Sequence, residues 1–238
     1  MVSVIQPARV LVDPVDGVPS SVEARRWGTP LVILMLAVSL AAVAWFIRWD
    51  ASGSVLQDLM MKGELMRATE TEISEAISQA ERIALVAGVA KGIFVMPLLV
   101  LLLAVVVKLT GWFVGRPAPF PKAFTAAAVS LLPIALYYLL FSVATLAQHS
   151  VTDGMRETLL PTHLGQVFGG QSPAMGRALS ALDLFNLWSA VLLGLGLSEA
   201  SGMKKWKGVA LGLLLYGLYA CVFLIGLPGM SGGPGGRG

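Results

Sequence analysis

The stretch PLVILMLAVSLAAVAWFI, residues Pro30–Ile47, runs for 18 residues without a charged side chain. A helix of about 20 apolar residues crosses the ~30 Å hydrocarbon core of a bilayer, where backbone polar groups must be satisfied internally. Four further apolar blocks of similar length follow, so we expect an all-α, polytopic membrane protein with five transmembrane helices. The predicted membrane domain covers residues 30–227, with spans at about 30–47, 83–109, 123–147, 184–200 and 206–227.

Composition supports this fold class. Of the 238 residues, 56% are apolar and only 13% are charged, and the mean hydropathy is +0.77. A soluble domain usually contains about 25% charged residues, so a soluble enzyme and a disordered chain are excluded. The net charge of +3 is too small to indicate a nucleic-acid partner, and a single cysteine provides neither an intrachain disulfide nor a CxxC site. We therefore expect no nucleic acid, no metal and no cofactor.

Lysine and arginine counts predict the orientation. Five spans place the N-terminal segment and the loops after spans two and four on one side, with nine basic residues against seven on the other. Because short cytoplasmic segments are enriched in Lys and Arg, residues 1–29 are predicted to be cytoplasmic. The loop at 48–82 and the glycine-rich, flexible tail at 228–238 are then extracytoplasmic. The polar leader lacks the pattern of a cleaved signal peptide, so span one is expected to be retained.

The loop at 48–82 contains a spaced set of apolar residues. Leu59, Met66 and Ile73 are seven apart, and Ile77 follows four residues later. This spacing predicts a helical stripe in an otherwise acidic segment, on a helix that continues unbroken into span two. We interpret the four residues as a partner-binding surface outside the membrane. The alternative is that the stripe packs against this protein's own outer loop.

Three positions inside the predicted spans stand out. Lys91 interrupts span two, and a charge deep in a membrane is usually functional. The alternative is a span that begins near Gly92, with Lys91 reaching to the outer interface. Pro97 and Pro133 each lack a backbone donor and are expected to kink their helices.

Two further patterns concern the packing of the spans and the position of their ends. Glycines and serines recur four residues apart, as in Gly194/Ser198 and Gly208/Gly212, which predicts close helix packing within the chain. Five of the six tryptophans, Trp45 and Trp49 among them, stand near predicted span ends, where amphipathic rings favour the membrane interface.

Residues Ala181–Tyr219 read ALDLFNLWSAVLLGLGLSEASGMKKWKGVALGLLLYGLY, with a D-L-F-x-x-W run followed by a small-residue span and an S-G-x-x-K-W turn. The leader, Ile5–Leu31, contains several prolines and places a tryptophan directly before span one. In these features the chain resembles the Yip domain family, and it looks like a bacterial-type integral membrane member of that family. The resemblance implies a five-span plan with a cytoplasmic N-terminus. The long outer loop departs from the shorter connection that is usual in that family.

A structural motif opens the fourth span. Ser180-x-x-Asp183 fits a capping box before the apolar run, and a carboxylate at a helix N-terminus opposes the positive end of the dipole. We expect Asp183 to cap the helix. Asn186 is expected to hydrogen-bond across helices, and Trp188 completes the motif.

The sequence contains no convincing set of catalytic residues, so we do not expect an enzyme. The sequence favours a non-enzymatic accessory or scaffold protein of the bacterial inner membrane. Its expected partners are the lipid bilayer and other integral membrane proteins, such as an ABC-type exporter or its adaptor, which the resemblance suggests. The alternative is a small transporter or channel, which would require several buried ionisable residues facing one cavity.

Overall fold

The structure is a computed structural model, and it describes residues 5–64, 66, 68–155, 158–167 and 179–222. Over these residues the chain is helical, and the extended pairing is confined to two isolated bridges, Trp49–Val151 and His163–Asp183. The helices, in chain order, are α1 (Ile5–Val12), α2 (Pro14–Glu23), α3 (Gly28–Arg48), α4 (Ala51–Lys62), α5 (Glu70–Ala90), a π-turn (Lys91–Val95), α6 (Met96–Phe113), α7 (Phe120–Ser130), α8 (Leu132–Leu146), a 3₁₀ turn (Asp153–Met155), α9 (Leu164–Val167), α10 (Leu184–Ser201) and α11 (Lys205–Tyr219).

Four helical runs are long and apolar enough to cross a membrane, which confirms a multi-pass helical membrane protein. They are Gly28–Arg48, Glu70–Phe113, Phe120–Leu146 and Leu184–Ser201. The predicted fifth span contains α11, whose 15 residues are followed by a π-helical turn up to residue 222, where the described part of the chain stops. Residues 223–227 of that span and the predicted tail at 228–238 lie outside the described residues. The number of five spans is therefore approximate.

The described chain forms two compact units. The first contains residues 5–31, 100–134 and 161–222, and the second contains residues 32–99 and 135–160, apart from the gaps given above. Each unit has its own packed interior, and they are described separately below.

Helix α10 is the centre of the first unit. It packs against α11, α7 and α2, and most of its residues from Ser189 to Ala200 are buried. Glycines permit this packing: a Cβ at Gly212 would lie 2.9 Å from the Gly194 Cα, and one at Gly196 would lie 2.6 Å from the Ala126 Cβ. The four-residue spacing of small residues thus corresponds to intramolecular contacts, as predicted.

The N-terminal segment, which the sequence analysis described only as a polar leader, is folded into α1 and α2. Pro14 occupies the first turn of α2, where the missing N–H has no helical partner to lose. The side chains of Val10, Val18 and Val22 are fully buried. Because α2 contacts both α7 and α10, this segment is part of the core of the first unit rather than a loose leader.

The second unit has an aromatic interior. The rings of Trp45 on α3 and Phe141 on α8 stack with their centroids 5.9 Å apart. Val151, in the segment after α8, is fully buried beside them. Gly88 brings α5 close to α3, because a Cβ there would lie 2.6 Å from the Ala42 Cβ.

The helical backbone is irregular beside both prolines that were expected to kink their helices. Pro97 has no N–H for the Ile93 carbonyl, and the π-turn Lys91–Val95 immediately precedes it, with the Met96 N–H bonded to the Lys91 carbonyl. Near Pro133, the helix is divided at Leu131 into α7 and α8. The wider turn and the division let the helices accommodate residues that cannot donate a backbone hydrogen bond.

The helix that carries Ile73 and Ile77 continues unbroken into the second span, as predicted, because α5, the π-turn and α6 form one helical run, Glu70–Phe113. The stripe that was predicted to include Leu59 does not lie on one helix, because the chain is interrupted between α4 and α5. Helix α4 ends at Gly63, whose φ of 69° is left-handed and favours glycine. Helix α5 begins after Thr69, which forms a reciprocal capping box with Glu72. These two local signals stop and restart the helix, and they outweigh the seven-residue spacing of apolar residues.

Candidate functional site

The predicted partner-binding residues lie on three successive pieces of chain. Leu59 is on α4, Met66 is in the connection, and Ile73 and Ile77 are on α5. Met66 is 98% exposed, whereas the other three side chains are half-buried. Helices α4 and α5 contact each other, so the four residues belong to one helical hairpin, although they do not form a stripe along one helix.

Asp183 caps the helix of the fourth span, as predicted, but Ser180 does not take part in the cap. Asp183 is itself the N-cap of α10, because its carboxylate accepts a 2.9 Å hydrogen bond from the Asn186 backbone N–H. Ser180 is therefore not the capping residue, and the capping box predicted from Ser180-x-x-Asp183 is wrong. The Thr162 hydroxyl donates a second hydrogen bond to the Asp183 carboxylate. Asn186 and Trp188 are half-buried on the first turns of the same helix.

Three segments meet at one end of the first unit. The Lys205 ammonium donates a 3.0 Å hydrogen bond to the Val15 carbonyl of the N-terminal hairpin, which consists of α1 and α2. The Arg116 guanidinium, in the loop after α6, donates to the Gly202 carbonyl in the turn between α10 and α11. These are the three segments that the five-span plan places on a common side of the membrane.

A corresponding set of contacts joins two segments of the second unit. The Val151 N–H donates to the Arg48 carbonyl at 2.8 Å, and the Asp50 N–H donates to the Val151 carbonyl at 2.9 Å. The chain after α3 is thereby fastened to the chain after α8, as expected if both emerge on the same side. Asp50 also caps α4, and its hydrogen bonds to the Gly53 N–H and the Ser52 hydroxyl hold the pKa of its carboxyl below the usual value.

The second unit contains a cavity of about 630 Å³ that the sequence did not predict. Its walls come from α3, the end of α5 with the first residue of the π-turn, α8, and the 3₁₀ turn. Two exposed charged residues, Lys91 and Asp153, line it together with an aromatic wall. The aromatic residues are Trp45, Trp49, Tyr137, Tyr138 and Phe141. Lys91 was the single signal in the sequence, because the other walls come from segments far apart along the chain.

No metal centre is evident in the part of the chain that the structure describes. Over those residues, no group of three or more His, Cys, Asp or Glu side chains is placed to hold a metal ion.

The helices and their contacts define a multi-pass, all-α membrane protein. The family model of the Yip1 domain matches residues 8–227, so the chain belongs to the Yip1 domain family. This confirms the resemblance seen in the span-four motif and the leader. No curated protein and no solved structure matches the chain. The Yip1 domain family is not known as an enzyme family.

Proposed function

We propose that this protein is a non-enzymatic accessory or scaffold of the bacterial inner membrane that binds other integral membrane proteins, such as components of an exporter. The observation that carries the proposal is the hairpin of α4 and α5. Among the described residues none of α5 is buried, although it contains Ile73 and Ile77. Membership in a family of membrane proteins supports the same function.

The exposed face of the hairpin suits a protein partner. Met60, Met61 and Met66 are 65%, 75% and 98% exposed, and flexible thioethers adapt to irregular apolar surfaces. Docking that covers a few hundred Å² would contribute roughly several kcal/mol before ordering costs. Exposed glutamates line the same hairpin, so the partner surface we propose is an apolar extracytoplasmic groove with a basic rim. The glutamates are Glu70, Glu72, Glu75 and Glu81.

Affinity purification in a mild detergent tests this function directly. We expect a defined membrane protein to co-purify with the full-length chain in stoichiometric amount. Recovery of the chain alone, as a stable monomer across several detergents, would argue against a scaffold.

The Met66→Gln, Ile73→Gln double variant is expected to abolish that co-purification. Both changes remove apolar contact area from the proposed surface, while Met66 contributes almost nothing to the protein's own packing. The thermal unfolding temperature should stay near that of the wild type. Val12→Gln is the matched control, because Val12 is 85% exposed and lies on the N-terminal hairpin instead.

Two results would contradict this surface. An unstable double variant would show that Ile73 belongs to the protein's own core. A stable variant with an unchanged complex would place the interface elsewhere, on the membrane-facing surfaces of the spans.

The proposed orientation has the N-terminus in the cytoplasm and the C-terminus outside, and the contacts at Lys205 and Arg116 support a common side for the basic segments. Single cysteines are introduced in a Cys221→Ser background and treated with an impermeant thiol reagent. Gly63→Cys and Gly232→Cys should react in intact cells, and Lys204→Cys should react only after permeabilisation.

Ser201 and Lys204 both lie at the turn between α10 and α11 and could carry the reporter cysteine. Lys204 is the better choice, because its side chain is exposed and the Ser201 hydroxyl is buried. Burial alone would make a cysteine at Ser201 unreactive. Labelling of Lys204→Cys in intact cells would contradict the proposed orientation and indicate the opposite one.

A further inference from the structure

We propose that the cavity of the second unit binds one aminophospholipid from the outer leaflet. The lipid phosphate lies at Lys91, its primary ammonium lies at Asp153, and the aromatic wall lies beside the headgroup and glycerol region, from which the acyl chains continue toward the membrane interior. The choice of leaflet rests on the proposed orientation, whereas the lipid site itself does not depend on the partner-binding surface of the α4–α5 hairpin.

The charges in the cavity match a zwitterionic headgroup. Lys91 and Asp153 both line the cavity, and in the described part of the chain the two side chains are not in ion-pair contact with each other. A lysine binds phosphate through charge-assisted hydrogen bonds, and a carboxylate accepts the hydrogens of a primary ammonium. An anionic headgroup would leave the Asp153 carboxylate without a cation, and a quaternary ammonium has no hydrogen to donate to it.

The rest of the cavity is suited to the glycerol region of a lipid at the membrane interface. Trp45 on α3 and Phe141 on α8 form a stacked pair in its wall. Ala41 and Ala42 of α3 also line the cavity. A volume of about 630 Å³ is in the range of ligand-binding cavities. It accommodates a headgroup and the beginning of the acyl chains, while the remainder of the chains extends into the bilayer. Tryptophan and tyrosine are the residues expected at that depth.

The π-turn fixes the position of the lysine. Lys91 is its first residue, and a Cβ on the neighbouring Gly92 would lie 2.8 Å from the Met35 carbonyl oxygen and 2.9 Å from the Ser39 nitrogen. The backbone next to Lys91 is therefore held directly against α3. Single π-turns within α-helices occur frequently at functional sites.

Native mass spectrometry of the full-length protein tests the proposal. The purified chain is delipidated in a mild detergent and titrated with dioleoyl phosphatidylethanolamine, phosphatidylglycerol or phosphatidylcholine. We expect one phosphatidylethanolamine per chain, with the other two lipids bound about tenfold more weakly. Lys91→Gln should weaken phosphatidylethanolamine binding about tenfold, because it removes the charge at the phosphate. Asp153→Asn should remove the preference for phosphatidylethanolamine over phosphatidylglycerol.

Two further variants keep the test decisive. Lys62→Gln is the matched control, because Lys62 is an exposed lysine on α4, away from the cavity, and should leave lipid binding unchanged. Ala87→Trp fills the cavity from an exposed position without changing its charge and should prevent binding. Equal binding of all three lipids, a preference for phosphatidylglycerol, or unchanged binding in folded Lys91→Gln or Ala87→Trp would overturn the proposal.

Discussion

Gly212→Leu is expected to lower the free energy of unfolding by about 3 kcal/mol or more and to reduce the amount of folded protein. A Cβ at this position would lie 2.8 Å from the Gly194 nitrogen and 2.9 Å from the Gly194 Cα. These are backbone atoms of the central helix, so no side-chain rotation can relieve the overlap. Helices α10 and α11 would have to separate, and the packing around α10 would be lost. The measurement is thermal unfolding of the purified protein in detergent, together with its yield.

Gly217→Leu is the matched control for that experiment. Gly217 lies on the same helix, and a Cβ there would meet nothing within 4 Å. Replacing this exposed glycine should leave the unfolding temperature unchanged or slightly higher, because glycine is a poor helix former. Equal losses in the two variants would mean that helix composition, and not the contact with Gly194, limits stability.

Asp183→Ala is expected to cost about 2–3 kcal/mol of stability. Asp183 is 8% exposed, and loss of its carboxylate removes both the cap on α10 and the hydrogen bond from the Thr162 hydroxyl. The Asn186 N–H would remain without its acceptor in a poorly hydrated place. The unfolding temperature in detergent measures the loss, and Asp183→Asn should recover part of it, since an amide oxygen can still accept.

Asp50→Ala provides the comparison at a cap that is less buried than Asp183. Asp50 accepts from the Gly53 N–H at 2.9 Å, but water can replace it there. The loss of stability should be clearly smaller than at Asp183. If Asp183→Ala proved no worse than Asp50→Ala, the Asp183 carboxylate would have to serve something other than the fold.

Membrane-spanning helices are the part of this fold that local sequence predicts best. The first span was expected at 30–47 and is a helix over Gly28–Arg48, and the fourth was expected at 184–200 and is a helix over Leu184–Ser201. An uninterrupted apolar stretch of this length has few alternatives in a bilayer, so its ends follow from the first polar residues on each side.

Features that depend on distant contacts were not predictable in the same way. The N-terminal helices are stabilised by α7 and α10, which are far along the chain, and the cavity at Lys91 is formed by three separate segments. The break between α4 and α5 is different, because Gly63 and the Thr69–Glu72 capping box are local signals. Those signals were present in the sequence, but the prediction gave more weight to the seven-residue spacing of the apolar residues.

The packing of the N-terminal hairpin also bears on the order of events during synthesis. Val18 and Val22 are buried in a helix that contacts α10, yet roughly 160 residues separate Val22 from Leu184 at the start of that helix. At about 5–20 residues per second, the ribosome needs roughly 8–30 s to make that intervening chain. The hairpin is thus translated well before the helix against which it packs. Its valines remain without their α10 contacts until α10 itself has been made.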